Sequence, residues 1–179
     1  MNKHLLALAV LSAGVALAAG SNPAQSFDAT LSMTEKEVVS LAEAMPADKY
    51  DFAPKDGAFT GVRTFSQQMT HIAAVNYEIA AAILGEKNPV EMGKAENGPE
   101  SIHTKEQAVK FLKDSFAYTH KALQSVTEAK LTSEVKNPFG SGTAPLLRIA
   151  SIPLWHTFDH YGQAVVYARM CGIIPPASR

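Results

Sequence analysis

The segment "LWHTFDHYGQAVVYARMCGIIPP" sets His156 and His160 four residues apart within a stretch of helical periodicity. In an α-helix, residues four apart share a face, with about 6 Å between their Cβ atoms. Two imidazoles so placed can reach one divalent ion at about 2.0–2.1 Å. Two core histidines bonded to their neighbours would explain an H-x-x-x-H pair equally well. The metal chemistry therefore depends on a third donor from another element. His71, in "SQQMTHIAAVNYEIAAAILG", adjoins Ile72 in a strongly apolar stretch that offers an imidazole no local partner. A buried polar group without a partner is costly, which makes His71 the best third ligand. His120 adjoins Phe116 and Thr119 and reads as a half-exposed packing residue. His103 precedes a helix cap and reads as solvent-facing.

Three neutral imidazoles leave at least one open position on an ion. Water bound there can be acidified toward about pH 7, or a thiolate can bind directly. Imidazole suits zinc, nickel, copper and iron alike; zinc ranks first on abundance and nickel second. A ligating histidine usually donates its other ring nitrogen to an oxygen. Asp159, three residues after His156, and Gln163, three after His160, are candidates for that role or for a contact to bound substrate. The plainer readings are an exposed helix carboxylate and a polar seam residue. Glu78, seven residues after His71, is a candidate general base, with an ordinary exposed glutamate as the alternative.

Four helical stretches must position these groups. The first spans about Thr34 to Met45, with Val38, Leu41, Ala42 and Met45 in phase, Thr34 as its cap and Pro46 as its stop. A Pro-, Gly- and Asp-rich connector, "PADKYDFAPKDGAFTGVR", follows, with Tyr50 and Phe52 as its anchors. The second helix opens on "TFSQ", a capping box at Thr64, carries Phe65, Met69, Ile72, Asn76, Ile79 and Ile83, and ends at Gly85. A polar loop from Glu86 to His103 precedes a third helix. That helix is capped by "TKEQ" at Thr104 and carries Val109, Leu112, Phe116, Thr119, Leu123 and Val126. The last runs from about Pro145 to Cys171, where Gly172 caps it. Pro153 should kink or divide it. On this helix His156, His160, Gln163, Tyr167 and Met170 form one stripe, expected to face the core. Gly162 within it suggests close helix–helix approach. No strand alternation stands out. Apolar seams on four helices joined by loops predict an all-α fold, an antiparallel four-helix bundle.

Composition agrees with one globular domain: 179 residues, 46% hydrophobic and 18% charged. Lys and Arg are scattered, with no basic patch to neutralise phosphates, which argues against nucleic acid as a partner. The amino terminus, "MNKHLLALAVLSAGVALAAG", has Lys3 and then an uncharged run from Leu5 to Gly20. This run falls short of the ~20 apolar residues that span a bilayer comfortably. It reads as a signal peptide over residues 1–24, cleaved after Ala16-Leu17-Ala18 or at Ala24, and implies export to a periplasm or medium with no stable membrane anchor. His4 leaves with it. Removing Lys3 leaves 15 basic and 17 acidic residues, a net charge of −2. With Cys171 alone, no internal disulfide can form, and this thiol reads as a small buried hydrophobe.

The stretches "PADKYDFAPKDG", "RTFSQQMTHIAAVNY" and "LWHTFDHYGQAVVYARMCGIIPP" resemble signature segments of the DinB/YfiT-like superfamily. The resemblance runs from about Phe27 to Arg179, and its most specific part is H-x-x-x-H-Y-G-Q ending in G-I-I-P-P. It implies a four-helix bundle, often a homodimer, whose metal ligands fall at His71, His156 and His160. The activity it implies is metal-dependent hydrolysis by a metal-activated water, on a small-molecule substrate the residues do not specify. Two other readings stay open: a metal-dependent thiol S-transferase or isomerase, and a non-catalytic metal- or ligand-binding protein.

Overall fold

The computed structural model describes residues 22–179. Residues 1–21, which carry most of the expected signal peptide, lie outside the described residues. Four long helices dominate: α1 (Pro23–Ala44), α2 (Phe65–Leu84), α3 (Lys105–Gln124) and α4 (Leu146–Met170). A two-stranded antiparallel hairpin, β1 (Glu134–Lys136) and β2 (Thr143–Pro145), joins α3 to α4. None of the helices among the described residues is long and apolar enough to cross a membrane.

Contacts between helices fix their directions. Glu43 near the end of α1 meets Lys113 of α3, and Asp28 near its start meets His120, so α1 and α3 run antiparallel. Gln68 pairs with Gln163, while Val75 packs with Ile149, so α2 and α4 also run antiparallel. Asn76 meets Ser115, and Glu86, just past the end of α2, meets Tyr118 of α3; these two helices therefore point the same way. The long polar loop between α2 and α3 exists for that reason, because the chain must return along the bundle before α3 begins. The expected seam residues fill the core: Val38, Leu41, Ala42, Met45, Phe65, Met69, Ile72, Ile79, Leu112, Phe116 and Leu123 are fully buried.

Three expectations need correction. α1 begins at Pro23 rather than Thr34: Asn22 Oδ1 accepts the Ala24 N–H, and Pro23 suits the first helical position. Thr34, expected as the cap, lies inside the helix and is fully buried, its hydroxyl donating to the Thr30 carbonyl. Thr30 and Ser32 bond back one turn in the same way, so residues that disfavour helix in isolation are accommodated here. α4 is not divided at Pro153. The ring leaves the Ile149 carbonyl without its helical donor, but Ile149, Ala150, Pro153 and Thr157 are all buried, and packing holds both halves in one helix. The hairpin was not expected. Its strands of three residues are too short to show a period of two. Asn137 N–H bonds the Gly142 carbonyl across its loop, and Ala144 packs on Val75, Ile79 and Ile149 in a small second core.

The helix ends follow the sequence. Both capping boxes form, at Thr64 with Gln67 and at Thr104 with Gln107. Gly85 and Gly172 take positive φ, at 68° and 79°. After α4 the Ile173 N–H returns to the Ala168 carbonyl and the Gly172 N–H to Arg169, which satisfies carbonyls that would otherwise be orphaned. Tyr50 donates its buried hydroxyl to the Ala42 carbonyl at 2.8 Å, and Phe52 stacks edge-on against Tyr167. These two aromatics anchor the connector as expected.

Candidate metal centre

α2 contributes His71 from its second turn, and α4 contributes His156 and His160 from successive turns. Their rings meet between the two helices. Centroids lie 5.0 Å apart for His71 and His156, 4.5 Å for His71 and His160, and 4.5 Å for His156 and His160. Each ring presents one nitrogen within 4.8 Å of the other two, a group that could hold a metal ion. His71 and His160 are buried, and His156 is partly so.

Hydrogen bonds set the tautomers of two of these rings. His71 Nδ1 lies 2.8 Å from the Glu96 carbonyl oxygen. A carbonyl can only accept, so the proton sits on Nδ1 and the Nε2 lone pair is free. Gln68 Oε1 lies 2.6 Å from His160 Nδ1 while the same amide donates to Gln163 Oε1 at 3.1 Å, which places the His160 proton on Nδ1 as well. His156 Nε2 stands 3.2 Å from His71 Nε2. Two ring nitrogens this close need a proton or a cation between them. Donors on a tetrahedral ion with bonds of about 2.05 Å are about 3.3 Å apart. The donor set therefore fits a divalent ion. His156 Nδ1 is buried and has no hydrogen-bond partner among the described residues.

Electrostatics point the same way. Burial pushes His156 down to about 3, with further lowering from His160, His71 and Arg63. Burial also pushes His160 down to about 4, with His71 and Arg63 adding to it and Asp159 opposing. His71 is lowered by burial too, although its bond to Glu96 opposes the shift. All three rings are neutral at pH 7, the state a metal requires.

The loop behind His71 is strained. Ala95 and Glu96 take positive φ, at 54° and 59°, which β-carbon sterics disfavour. Gly93 and Gly98 close this loop so tightly that a Cβ on Gly93 would lie 1.9 Å from the Gly98 carbonyl oxygen. The strain presents two consecutive carbonyls: Glu96 receives His71, and Ala95 receives the Arg63 Nη2 at 2.8 Å.

Two cavities flank the histidines. One of about 300 Å³ has His156, Trp155, Phe139 and Arg148 on its wall together with Glu96. The other, of about 440 Å³, is lined by Arg63, Lys94, Gln67, Gln68 and Gln163. Gly61, Val62 and Arg63 place the end of the long connector on the wall of this second cavity.

Gln163 and Asp159 are exposed, and among the described residues neither hydrogen-bonds a histidine. Gln163 acts one step away, through Gln68, and its Nε2 reaches Asp159 Oδ2 at 3.4 Å. The stripe expected to face the core is correspondingly wrong at two positions. Gln163 and Met170 face out, while Ala164 and Ala168 face in. A Cβ built on Gly162 would meet no atom within 4 Å, so among the described residues it marks no close helix–helix approach. Glu78 sits away from the rings, where it accepts a bond from Asn88 at 2.6 Å. His103 is exposed, and His120 bridges Asp28 and Glu35 at 2.7 and 3.1 Å. Sequence reasoning missed Gln68, Arg63 and the Glu96 carbonyl. Gln68 carried a signal, a polar residue one turn before His71 on a buried face; Glu96 carried none, because it acts through its backbone.

Solved structures share this architecture. A DinB-like protein from Bacillus cereus superposes with a TM-score of 0.66 at 18% identity, covering 85% of this chain and 95% of that one. A DinB-like protein from Bacillus subtilis gives 0.61 at 17%, covering 82% and 92%. A conserved protein from Enterococcus faecalis gives 0.60 at 15%, covering 82% and 95%. At these identities the likeness is one of fold. No curated protein matches the chain. Residues 30–164 match the profile of the DinB superfamily, most of the bundle and all three histidines included, and the chain belongs to that superfamily.

Proposed function

We propose that His71, His156 and His160 bind a divalent ion, zinc first and nickel second, and that the protein is an exported metal-dependent hydrolase. The single observation that carries this reading is the convergence of three neutral imidazoles from two helices, two with their Nε2 lone pairs freed by oxygen acceptors behind them. When bound there, the ion supplies Lewis acidity and lowers the pKa of a coordinated water to about 7. The chain's own residues do the rest. The Glu96 carbonyl and Gln68 hold two rings in the ligating tautomer, and burial keeps all three uncharged. The cavity of about 300 Å³ beside His156 would have room for a small molecule.

Hydrolysis is favoured over metal storage because no fourth His, Cys, Asp or Glu joins the group among the described residues. A donor set of three leaves a position for water or substrate. The test is turnover of a panel of chromogenic esters, amides and lactones by stripped, zinc-reloaded and His160→Ala protein. Hydrolysis that returns with zinc and is lost in the variant supports the proposal. Equal turnover by all three preparations, or none by any, overturns it; turnover that needs an added low-molecular-weight thiol moves the protein to the S-transferase class.

A further inference from the structure

The second cavity carries charge that the metal site does not use. Arg63 sits immediately before the α2 cap and is only partly exposed. Its Nε donates to Asn97 Oδ1 at 2.7 Å and its Nη2 to the Ala95 carbonyl at 2.8 Å. Both acceptors are neutral, and among the described residues no carboxylate pairs with Arg63. Two of the five guanidinium donors are therefore spent on orientation, while the positive charge stays uncompensated. Lys94, on the same cavity, also has no carboxylate partner.

Among the described residues no Asp or Glu lines this cavity. Glu96 lines the other cavity, Glu100 lines an adjoining pocket that Lys94 also borders, and Asp159 lies beyond Gln163, 3.4 Å from its amide. Gln68 connects the two features directly: it lines the cavity of Arg63 and bonds His160. A guanidinium held by neutral oxygens beside a dication with neutral ligands is an arrangement suited to an oxyanion, whose two oxygens match the guanidinium fork. The strained Ala95–Glu96 pair has a reason in these terms, since it fixes the Arg63 fork and a metal-ligating ring from one short loop.

We propose that Arg63, assisted by Lys94, forms an oxyanion subsite beside the histidines, so that the ligand of this centre carries a carboxylate or phosphate group. The proposal rests on the metal reading above. Arg63 positions the ligand; Lys94 adds charge at the rim and acts at longer range.

Cobalt-substituted protein tests both readings separately. The visible cobalt bands report the metal alone, and their change on titration with inorganic phosphate or with acetate reports the anion. The expected result is a cobalt spectrum in wild type that shifts with at least one of the two anions. Arg63→Gln should weaken that anion about tenfold, with Arg63→Lys intermediate. Lys94→Gln, which removes a side chain free of structural bonds, should weaken it about threefold, less at high salt. The arm that responds identifies the oxyanion. Unchanged affinity in both Arg63→Gln and Lys94→Gln means the anion sits on the metal alone and overturns the subsite while leaving the metal reading intact. A cobalt spectrum indifferent to both anions overturns it likewise. No protein-bound cobalt spectrum overturns both readings.

Discussion

The Nδ1 of His71 and the carbonyl oxygen of Glu96 are 2.8 Å apart, 25 residues separated in sequence. This bond fixes which nitrogen His71 offers, and the loop that makes it depends on Gly93. An alanine there would meet the Gly98 carbonyl and would also be forced into positive φ. Gly93→Ala is expected to displace Glu96 and weaken zinc binding by about 10–100-fold, the usual cost of losing a partner behind a ligand. Competition with a chromogenic chelator measures this. Unchanged zinc affinity would show that Glu96 does not hold the ring.

Gln68 serves His160 as Glu96 serves His71. Gln68→Leu keeps the volume and removes the acceptor, and should weaken zinc by a similar about 10–100-fold. Gln163→Ala, one step further out and exposed, should change it by less than about threefold. The same competition assay separates the two. Equal losses in both variants would mean that the chain of amides acts as a unit.

The lowered histidines make metal-free protein acid-sensitive. Their folded pKa values, about 3 for His156 and about 4 for His160, lie below the unfolded value of 6.5. As pH falls below that value the unfolded chain takes up protons first, so stability is full above it and is lost progressively toward pH 4. The melting temperature of stripped protein should drop between pH 7 and pH 5, and the drop should be smaller in His156→Ala. A flat profile over that range would contradict neutral burial of these rings.

Much of this could be read from the chain and some could not. The seams of α2 and α3 and both capping boxes were legible because burial and local bonds there follow helical spacing. His71 was legible for a similar reason, as an imidazole stranded among apolar neighbours. The first turns of α1 were not, because Thr30, Ser32 and Thr34 weaken a helix until they bond back to their own carbonyls. The parallel run of α2 and α3 was hidden as well, since periodicity says nothing of direction. Gln163, a candidate partner for a ligating ring or contact to bound substrate, bonds Gln68, and Gln68, arriving from the other helix, takes the bond to His160.

The start of α1 also bears on the proposed export. Asn22 caps this helix and Pro23 begins it, so cleavage after Ala18 leaves the cap in place while cleavage after Ala24 removes it. Losing an N-cap costs about 1 kcal/mol. Mass spectrometry of protein recovered from the periplasm or medium should give an amino terminus before Asn22. Retention of the intact chain in the cell would contradict export.

The main core includes one large aromatic from α3. Phe116 of α3 is fully buried, and Phe116→Ala should cost about 3–5 kcal/mol in urea unfolding. A loss below about 1 kcal/mol would place the load of the core elsewhere.

The most direct measurement is the metal content of zinc-equilibrated, desalted wild type beside His71→Ala and His156→Ala, with folding checked by circular dichroism. One imidazole removed from either helix should abolish stable retention, against about one ion per chain in the wild type. Folded variants from both helices that keep as much zinc as the wild type would contradict the shared centre.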